Sequence, residues 1–532
     1  MSRQNNNIPA DGNKSANKSV KTIAVMMGAT VIAKLLGMLR SVLMAGAYGT
    51  TPAANAFTAA SKLPLTFFDL LLAASVLGCF IPAYNSFCGS ERDSKKADDF
   101  AAVFLTFIIV ACGILAVLGI VFARPLLTLI APNLDETAFE LAVVLTRIMF
   151  PLVIFTGSAY TLVGVLQSKG SFIAPAMISA ISNAGVVLYL AVIDPALGDK
   201  GIYGLALAYT LSWLIQLLTL ALPLKRCGYS LRFGFNFKDP ELLRALKTAP
   251  PIMIGSWLAP AGTLLGQFFA ARVGIPGATT NFDYANNIYI IIAGTLTYSI
   301  CNYTFPKISK LSALGDEEKF AAMVRSGLKL ALFIIVPIMS AAFVLSGEGV
   351  SILYLRGKFT AEDAANTSAA LIPILAAMPF FGVTELFSRV FYSKNEVKIP
   401  MLAAVFGIIG NAVVGGILVS LNIFGISAVG IANAAGQIIS ALVLLIAAYR
   451  RIPGLLDKVF FKDILKLILG GAIVFVVCAL MKGIIKSDPF NSSFIVNTLK
   501  AVCIFLPSVA IYLVYSKIVG LGLFESGEQK NL

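Results

Sequence analysis

Two cations stand inside a run of residues that reads as a membrane-spanning helix. Residues 21–49, KTIAVMMGATVIAKLLGMLRSVLMAGAYG, are long and apolar enough to cross a bilayer, yet they carry Lys34 and Arg40. A charged side chain near mid-membrane costs roughly 2.5 to 3.5 kcal/mol on insertion scales, so it faces a wet cavity, a partner or a ligand. The two lie six positions apart, about 120° around a straight helix. Gly37 between them permits a bend or a close helix approach that would bring both onto one cavity wall. Arginine supplies a planar bidentate fork and lysine a mobile point charge, a combination suited to phosphate or pyrophosphate. In the alternative reading, Arg40 snorkels to the outer interface and Lys34 hydrogen-bonds nearby carbonyls.

Other polar residues interrupt later apolar runs. Asn55 opens a second span, where it suits a helix cap or a contact with a polar head group. Lys62-Leu63-Pro64 and Asp69 follow, and Asp69 is placed to pair with a cation from a neighbouring helix. Arg147 falls in a fourth span; Glu385 and Arg389, spaced i, i+4 in a tenth, can satisfy each other. Asn286 and Asn287 in DYANNIY, and Asn411, are amides for which helix–helix hydrogen bonding is the default. In LYLRGKFTAEDAANTS, Thr360 suits an N-cap with Asp363 at N3. There is no histidine, the seven cysteines have no metal-ligand spacing, and neither a Walker signature nor paired hydrolase carboxylates occur. The expectation is a transporter with no cofactor and no metal site, driven by a gradient or potential rather than ATP.

The elements that must position these residues are transmembrane helices. With 58% hydrophobic and 13% charged residues over 532 positions, and a mean hydropathy of +0.86, the chain reads as an all-α polytopic membrane protein. Fourteen spans are expected, near 21–48, 55–86, 98–123, 139–168, 172–194, 201–225, 242–273, 284–305, 319–346, 366–393, 399–421, 425–449, 462–485 and 494–519. Much of the net charge of +14 sits in alternate loops, which places both termini in the cytoplasm by the positive-inside rule and fits topology better than nucleic-acid binding. Self-comparison finds a repeat: Ser168-Lys169 with Pro175 matches Ser393-Lys394 with Pro400, an offset of 225, and Gly204-Leu205-Ala206 matches Gly430-Ile431-Ala432. A period holding an even number of spans relates the copies by an axis along the membrane normal, with a cavity between them for alternating access. The expected organisation is a disordered cytoplasmic tail at 1–20, an N-lobe of six helices at 21–226, a pseudo-symmetric C-lobe of six at 242–451, two added helices at 462–520 and a tail at 521–532.

AKLLGMLRSVLMAGAYG, ANAF, KLP, TRIMFPLVIFTGSAYTLVGVLQSKGSFIAPA, YANNIY, PKIS, LYLRGKFTAEDAANTSAAL and FYSKNEVKIP together resemble the MurJ (MviN) lipid II flippases, over nearly the whole chain. The resemblance implies fourteen helices in two lobes, kinship with multidrug exporters and polysaccharide flippases, and movement of undecaprenyl-pyrophosphate-linked peptidoglycan precursor from inner to outer leaflet of a bacterial cell membrane. It implies lipid II or a similar polyprenyl-pyrophosphate glycan, membrane lipids and cell-wall synthesis proteins as partners. The family's first-span cations fall on Lys34 and Arg40, an acid after them on Ser41, a second-span acid on Asn55, a second-span arginine on Phe68 and an eighth-span arginine on Asn287. Lys34, Arg40, Ser41, Asn55 and Asn287 are therefore the expected substrate-binding residues. Some members bind sodium through acids between spans 7 and 11; this chain has Gln267 and Gly415 there and retains only Asn411, so sodium coupling is not assumed. A flippase for another polyprenyl-linked oligosaccharide is the nearest alternative. A multidrug antiporter, for which Asp69 is the main cavity carboxylate, and a membrane scaffold for wall synthesis are further ones.

Overall fold

A computed structural model describes residues 11–70, 74–87, 91–455, 458–486 and 488–521. The expected tail residues 1–10 and 522–532 lie outside them. Among the described residues the regular structure is helical, without strands. In chain order the α-helices are α1 Asp11–Tyr48, α2 Pro52–Phe68, α3 Ala74–Asn85, α4 Glu91–Val121, α5 Ala123–Ile130, α6 Glu136–Met149, α7 Leu152–Ser168, α8 Ile173–Leu188, α9 Asp194–Leu197, α10 Gly201–Thr219, α11 Ala221–Arg226 and α12 Pro240–Ser256. They continue as α13 Leu258–Ala270, α14 Ala278–Tyr289, α15 Thr295–Leu314, α16 Glu317–Val344, α17 Ser346–Tyr354, α18 Ala361–Leu375, α19 Met378–Ser393, α20 Lys398–Ser420, α21 Ser427–Arg451, α22 Lys458–Ile484 and α23 Phe494–Ile518.

Among the described residues, eleven helical stretches are long and apolar enough to cross a membrane, and α18 with α19, bent by 47°, can make a twelfth. Pro373 near the end of α18 explains that bend, since proline removes a ladder hydrogen bond. The expected count of fourteen is not reached in two places. The expected span 55–86 is divided between α2 and α3, and the expected span 242–273 breaks at Trp257 between α12 and α13. Large apolar side chains point outward along the helices, among them Leu35, Leu188, Leu421 and Ile518; in a bilayer that surface meets lipid.

The chain divides into two compact units. The first takes its described residues from Met1–Leu43, Leu71–Val121 and Thr146–Ala249. In it, Phe80 of α3 stacks on Phe100 of α4 and meets Phe104 at a tilt, and Gly164 of α7 leaves the space that Phe80 fills. Lys169, capping α7, pairs with Asp98 at 3.0 Å.

The second unit takes its described residues from Met44–Leu70, Phe122–Leu145 and Pro250–Leu532. Two of its features are backbone-close. Gly49 and Gly357 both adopt positive φ. A Cβ on Gly357 would lie 2.2 Å from the Gly46 carbonyl oxygen, so the RGKFT loop can lie directly on the end of α1, where the Lys358 amide donates to that same oxygen. Gly407 and Gly436 likewise let α20 and α21 cross with almost no side chain between them. As the spacing predicts, Thr360 and Asp363 form a capping box on α18. The last two helices are pinned by a buried carboxylate: Glu348 of α17 accepts from Lys482 of α22 at 2.8 Å and pairs with Lys500 of α23 at 3.0 Å.

Candidate functional site

In the first unit, Lys34 and Arg40 are half-buried on α1. Arg40 Nη1 donates to Asn183 Oδ1 of α8 at 2.9 Å and to Tyr209 Oη of α10 at 3.2 Å, and the guanidinium carbon stands 5.5 Å from the Tyr209 ring centroid. Asn183 is fixed in turn, its Nδ2 donating to Ser179 O at 2.8 Å and to Ala33 O at 3.4 Å. α1 and α8 approach closely here: a Cβ on Gly37 would meet Asn183 Nδ2 at 3.4 Å, an ordinary contact distance. Ser41 is buried and donates to the Gly37 carbonyl at 3.2 Å, the back-bonding that loosens a helix turn. Asn183, held by Ser179 and Ala33, in turn sets the aim of Arg40. The partners that hold Arg40 are neutral, so they orient the guanidinium without cancelling its charge.

The structure places Asn55 and Asn287 in the second unit, on the contact between α2 and α14. Asn55 is buried; its Oδ1 accepts from Thr280 Oγ1 at 2.6 Å and Thr279 Oγ1 at 3.4 Å, and its Nδ2 donates to Thr50 O at 3.2 Å. Thr58 shares a hydrogen bond with Thr280 at 3.2 Å. One turn deeper, Lys62 pairs with Asp283 at 2.5 Å, and Asn287 Nδ2 donates to the other Asp283 oxygen at 3.3 Å. Lys34, Arg40 and Ser41 therefore share α1, while Asn55 and Asn287 share the α2–α14 contact. Asp69 caps α2 at its C-terminal end, and Glu385 stands 3.8 Å from Arg389, the i, i+4 partner expected.

Sequence reasoning missed Asn183, Tyr209, Thr280 and Asp283. For Thr280 a signal was present, since it is the residue 225 positions after Asn55, the spacing of the repeat. For Asn183 and Tyr209 no local pattern exists.

The sequence model of the family "Lipid II flippase MurJ" matches residues 44–500. The chain belongs to the MurJ lipid II flippase family. It is a multi-pass membrane protein, and the matched range begins just after Lys34, Arg40 and Ser41. A relative from Bdellovibrio bacteriovorus, named "Probable lipid II flippase MurJ", is 27% identical over 468 residues, covering 87% of this chain and 88% of its own. One from Burkholderia cenocepacia, named "Lipid II flippase MurJ", is 25% identical over 394 residues, covering 72% of this chain and 75% of its own. Among solved structures, "Lipid II flippase MurJ, inward closed conformation" superposes with a TM-score of 0.76 at 21% identity, covering 93% of this chain and 100% of that one. An inward-facing MATE family multidrug resistance transporter of the MOP superfamily gives 0.69 at 16% identity, covering 81% and 98%. These likenesses establish the fold that the MurJ family shares with such transporters.

Proposed function

We propose that this chain translocates lipid II, the undecaprenyl-pyrophosphate-linked peptidoglycan precursor, from the inner to the outer leaflet of a bacterial cell membrane by alternating access. The observation that carries this reading is the family match over residues 44–500. Its chemistry is supplied by α1. Arg40 donates to both of these partners from Nη1, so the Nη2 and Nε edge is the one a phosphate oxygen pair would take. Lys34, less than two turns earlier on the same helix, adds a second positive charge for an anion. Ser41, Asn55 and Asn287 are the uncharged members of the substrate-binding set in this reading. The protein acts as a transporter rather than an enzyme, with the prenyl chain left in lipid and with cell-wall synthesis proteins supplying and consuming the cargo.

The topology that goes with it has both termini in the cytoplasm, supported by the basic loops. It has fourteen crossings if α2 with α3, and α12 with α13, each make one. The lobes are 21–226 and 242–451, with 462–520 appended, and the Asn55–Thr280 contact between positions 225 apart supports that duplication. The test is complementation in bacteria depleted of their own lipid II flippase, with membrane levels measured for wild type, Lys34→Ala and Arg40→Ala. Rescue by wild type and loss in both variants is the expected result. Failure of a well-expressed wild type overturns the lipid II assignment, and rescue by all three keeps the substrate but removes the α1 cations from its site.

A further inference from the structure

The α2–α14 contact joins repeat-equivalent residues. Asn55 and Thr280, 225 positions apart, meet side chain to side chain at 2.6 Å. The order of contacts, Asn55 with Thr280 and then Lys62 with Asp283, makes the two helices run in the same direction. Equivalent positions touching between parallel helices mark the place where an axis along the membrane normal passes between the copies. From Asn55 to Lys62 the contact reaches about 10 Å along α2. It starts at the turn that follows α1, which is held from the other side where the Thr50 hydroxyl donates to Asp363. With the N-terminus cytoplasmic, as in the proposed topology on which this inference rests, that turn lies at the outer face.

In the alternating-access reading on which this inference rests, opening toward the outer leaflet parts α2 from α14. The Asn55, Thr58 and Thr280 layer is neutral, and such bonds are cheap to exchange between helices in a membrane. The Lys62–Asp283 layer is not, because the side chains are only 24% and 15% exposed and separating them leaves two charges without their counter-ions in a poorly solvated place. The two partners are provided for unequally. Asp283 already accepts from the Asn287 amide, which stays beside it on α14. Among the described residues Lys62 has no such second ligand on its own helix, where the next carboxylate, Asp69, is about two turns on.

We propose that the Lys62–Asp283 pair is an anion-operated latch on the outer face: Lys62 passes from Asp283 to a phosphate oxygen of the polyprenyl-pyrophosphate cargo as α2 and α14 separate, while Asn287 steadies the carboxylate left behind. The latch ties opening to the presence of an anionic head group and keeps the empty transporter shut. It makes Lys62 a cargo-contacting residue of the transport step, and it gives Asn287 a positioning part that is played through Asp283.

The experiment uses the full chain with Thr58→Cys as a reporter in the neutral layer, labelled by a membrane-impermeant thiol reagent in oriented vesicles and corrected for labelling of the chain without that cysteine. With the latch intact, labelling from the outer side is slow. Adding Lys62→Met is expected to speed it about tenfold, equivalent to ~1.4 kcal/mol of shifted equilibrium, and exchanging the charges, Lys62→Asp with Asp283→Lys, is expected to restore the slow rate, which also shows that the variants fold. Undecaprenyl pyrophosphate, used as the probe, should speed labelling in the parent and leave the Lys62→Met chain unchanged. Labelling that ignores Lys62→Met, or a charge exchange as fast as the single variant, overturns the latch; acceleration seen only from the cytoplasmic side overturns its outer placement. Because the probe carries no sugar or peptide, a latch that responds while complementation fails condemns the lipid II assignment alone.

Discussion

Glu348 and Arg40 are both ionised groups set among apolar helices, and their surroundings treat charge in opposite ways. Glu348 is fully buried and pairs with two lysines, Lys482 at 2.8 Å and Lys500 at 3.0 Å, each from a different C-terminal helix. Arg40 is half-buried and is held by an amide oxygen and a phenol. A charge matched by opposite charge and sealed from solvent is spent on holding helices together. One oriented by neutral groups keeps its field for something that arrives later. Lys62 stands between the two, paired like Glu348 yet partly exposed like Arg40, which is the state expected of a contact that must be made and broken.

The largest effect that this contrast predicts is at Glu348. Replacing it by alanine strands two lysines and should cost about 3 to 5 kcal/mol, read as a lower unfolding temperature in detergent micelles. The sign of the pH dependence follows from the same contacts. Burial alone would raise the Glu348 carboxyl, but the bonds from Lys482 and Lys500 prevail and hold it below its ordinary value. A carboxyl whose folded pKa is depressed contributes stability above its unfolded pKa and loses it as pH falls through the folded one. Acidification should therefore destabilise wild type more than Glu348→Gln. A Glu348→Ala chain that unfolds at the wild-type temperature would erase the distinction between the two regions.

Arg40→Ala should do the reverse, leaving stability within about 1 kcal/mol because the groups left behind are uncharged. Transport of lipid II in proteoliposomes should fall at least about tenfold, since charge-assisted hydrogen bonds contribute roughly 1.5 to 3 kcal/mol. Arg40→Lys should recover part of it, keeping the charge without the fork. A large loss of stability, with transport falling only in proportion to folded protein, would make Arg40 a structural charge like Glu348.

Why the sequence disclosed some of this and hid the rest is a matter of range. The Thr360–Asp363 capping box was legible because both halves lie within one turn, and the helices were legible because an apolar run needs no partner to be recognised. The break at Trp257 was not, since apolar composition continues across it, and the one after α2 was marked only by Asp69, which reads equally well as half of an ion pair within one span. Arg40 drew notice as a charge in an apolar run, but its partners lie 143 and 169 residues away on helices whose own patterns are ordinary. Glu348, Lys482 and Lys500 escaped notice for the same reason: each sits near the end of an apolar segment, and only the fold brings them together. The repeat offset of 225 was visible as topology, and it also named a contact, Asn55 with Thr280, that becomes evident only when the two copies are seen to touch.

The smallest and sharpest test converts one region into the other. Asn183→Asp keeps the oxygen that accepts from Arg40 at 2.9 Å and replaces only the Nδ2 amide, turning an orienting amide into a counter-ion. Part of the asparagine's own role is lost with its Nδ2, which donates to Ser179 and Ala33, while the new ion pair gains Coulomb energy in a half-buried setting. The two effects are each on the order of 1 kcal/mol and oppose, so the unfolding temperature should hardly move. Transport should fall nearly as far as in Arg40→Ala, because the guanidinium, though present and correctly placed, no longer offers an uncompensated charge to a pyrophosphate. Asn183→Ala, which loosens Arg40 without neutralising it, should retain more transport than Asn183→Asp. The opposite ranking would mean that the position of the guanidinium matters more than its free charge, and the contrast between Arg40 and Glu348 would then be one of geometry alone.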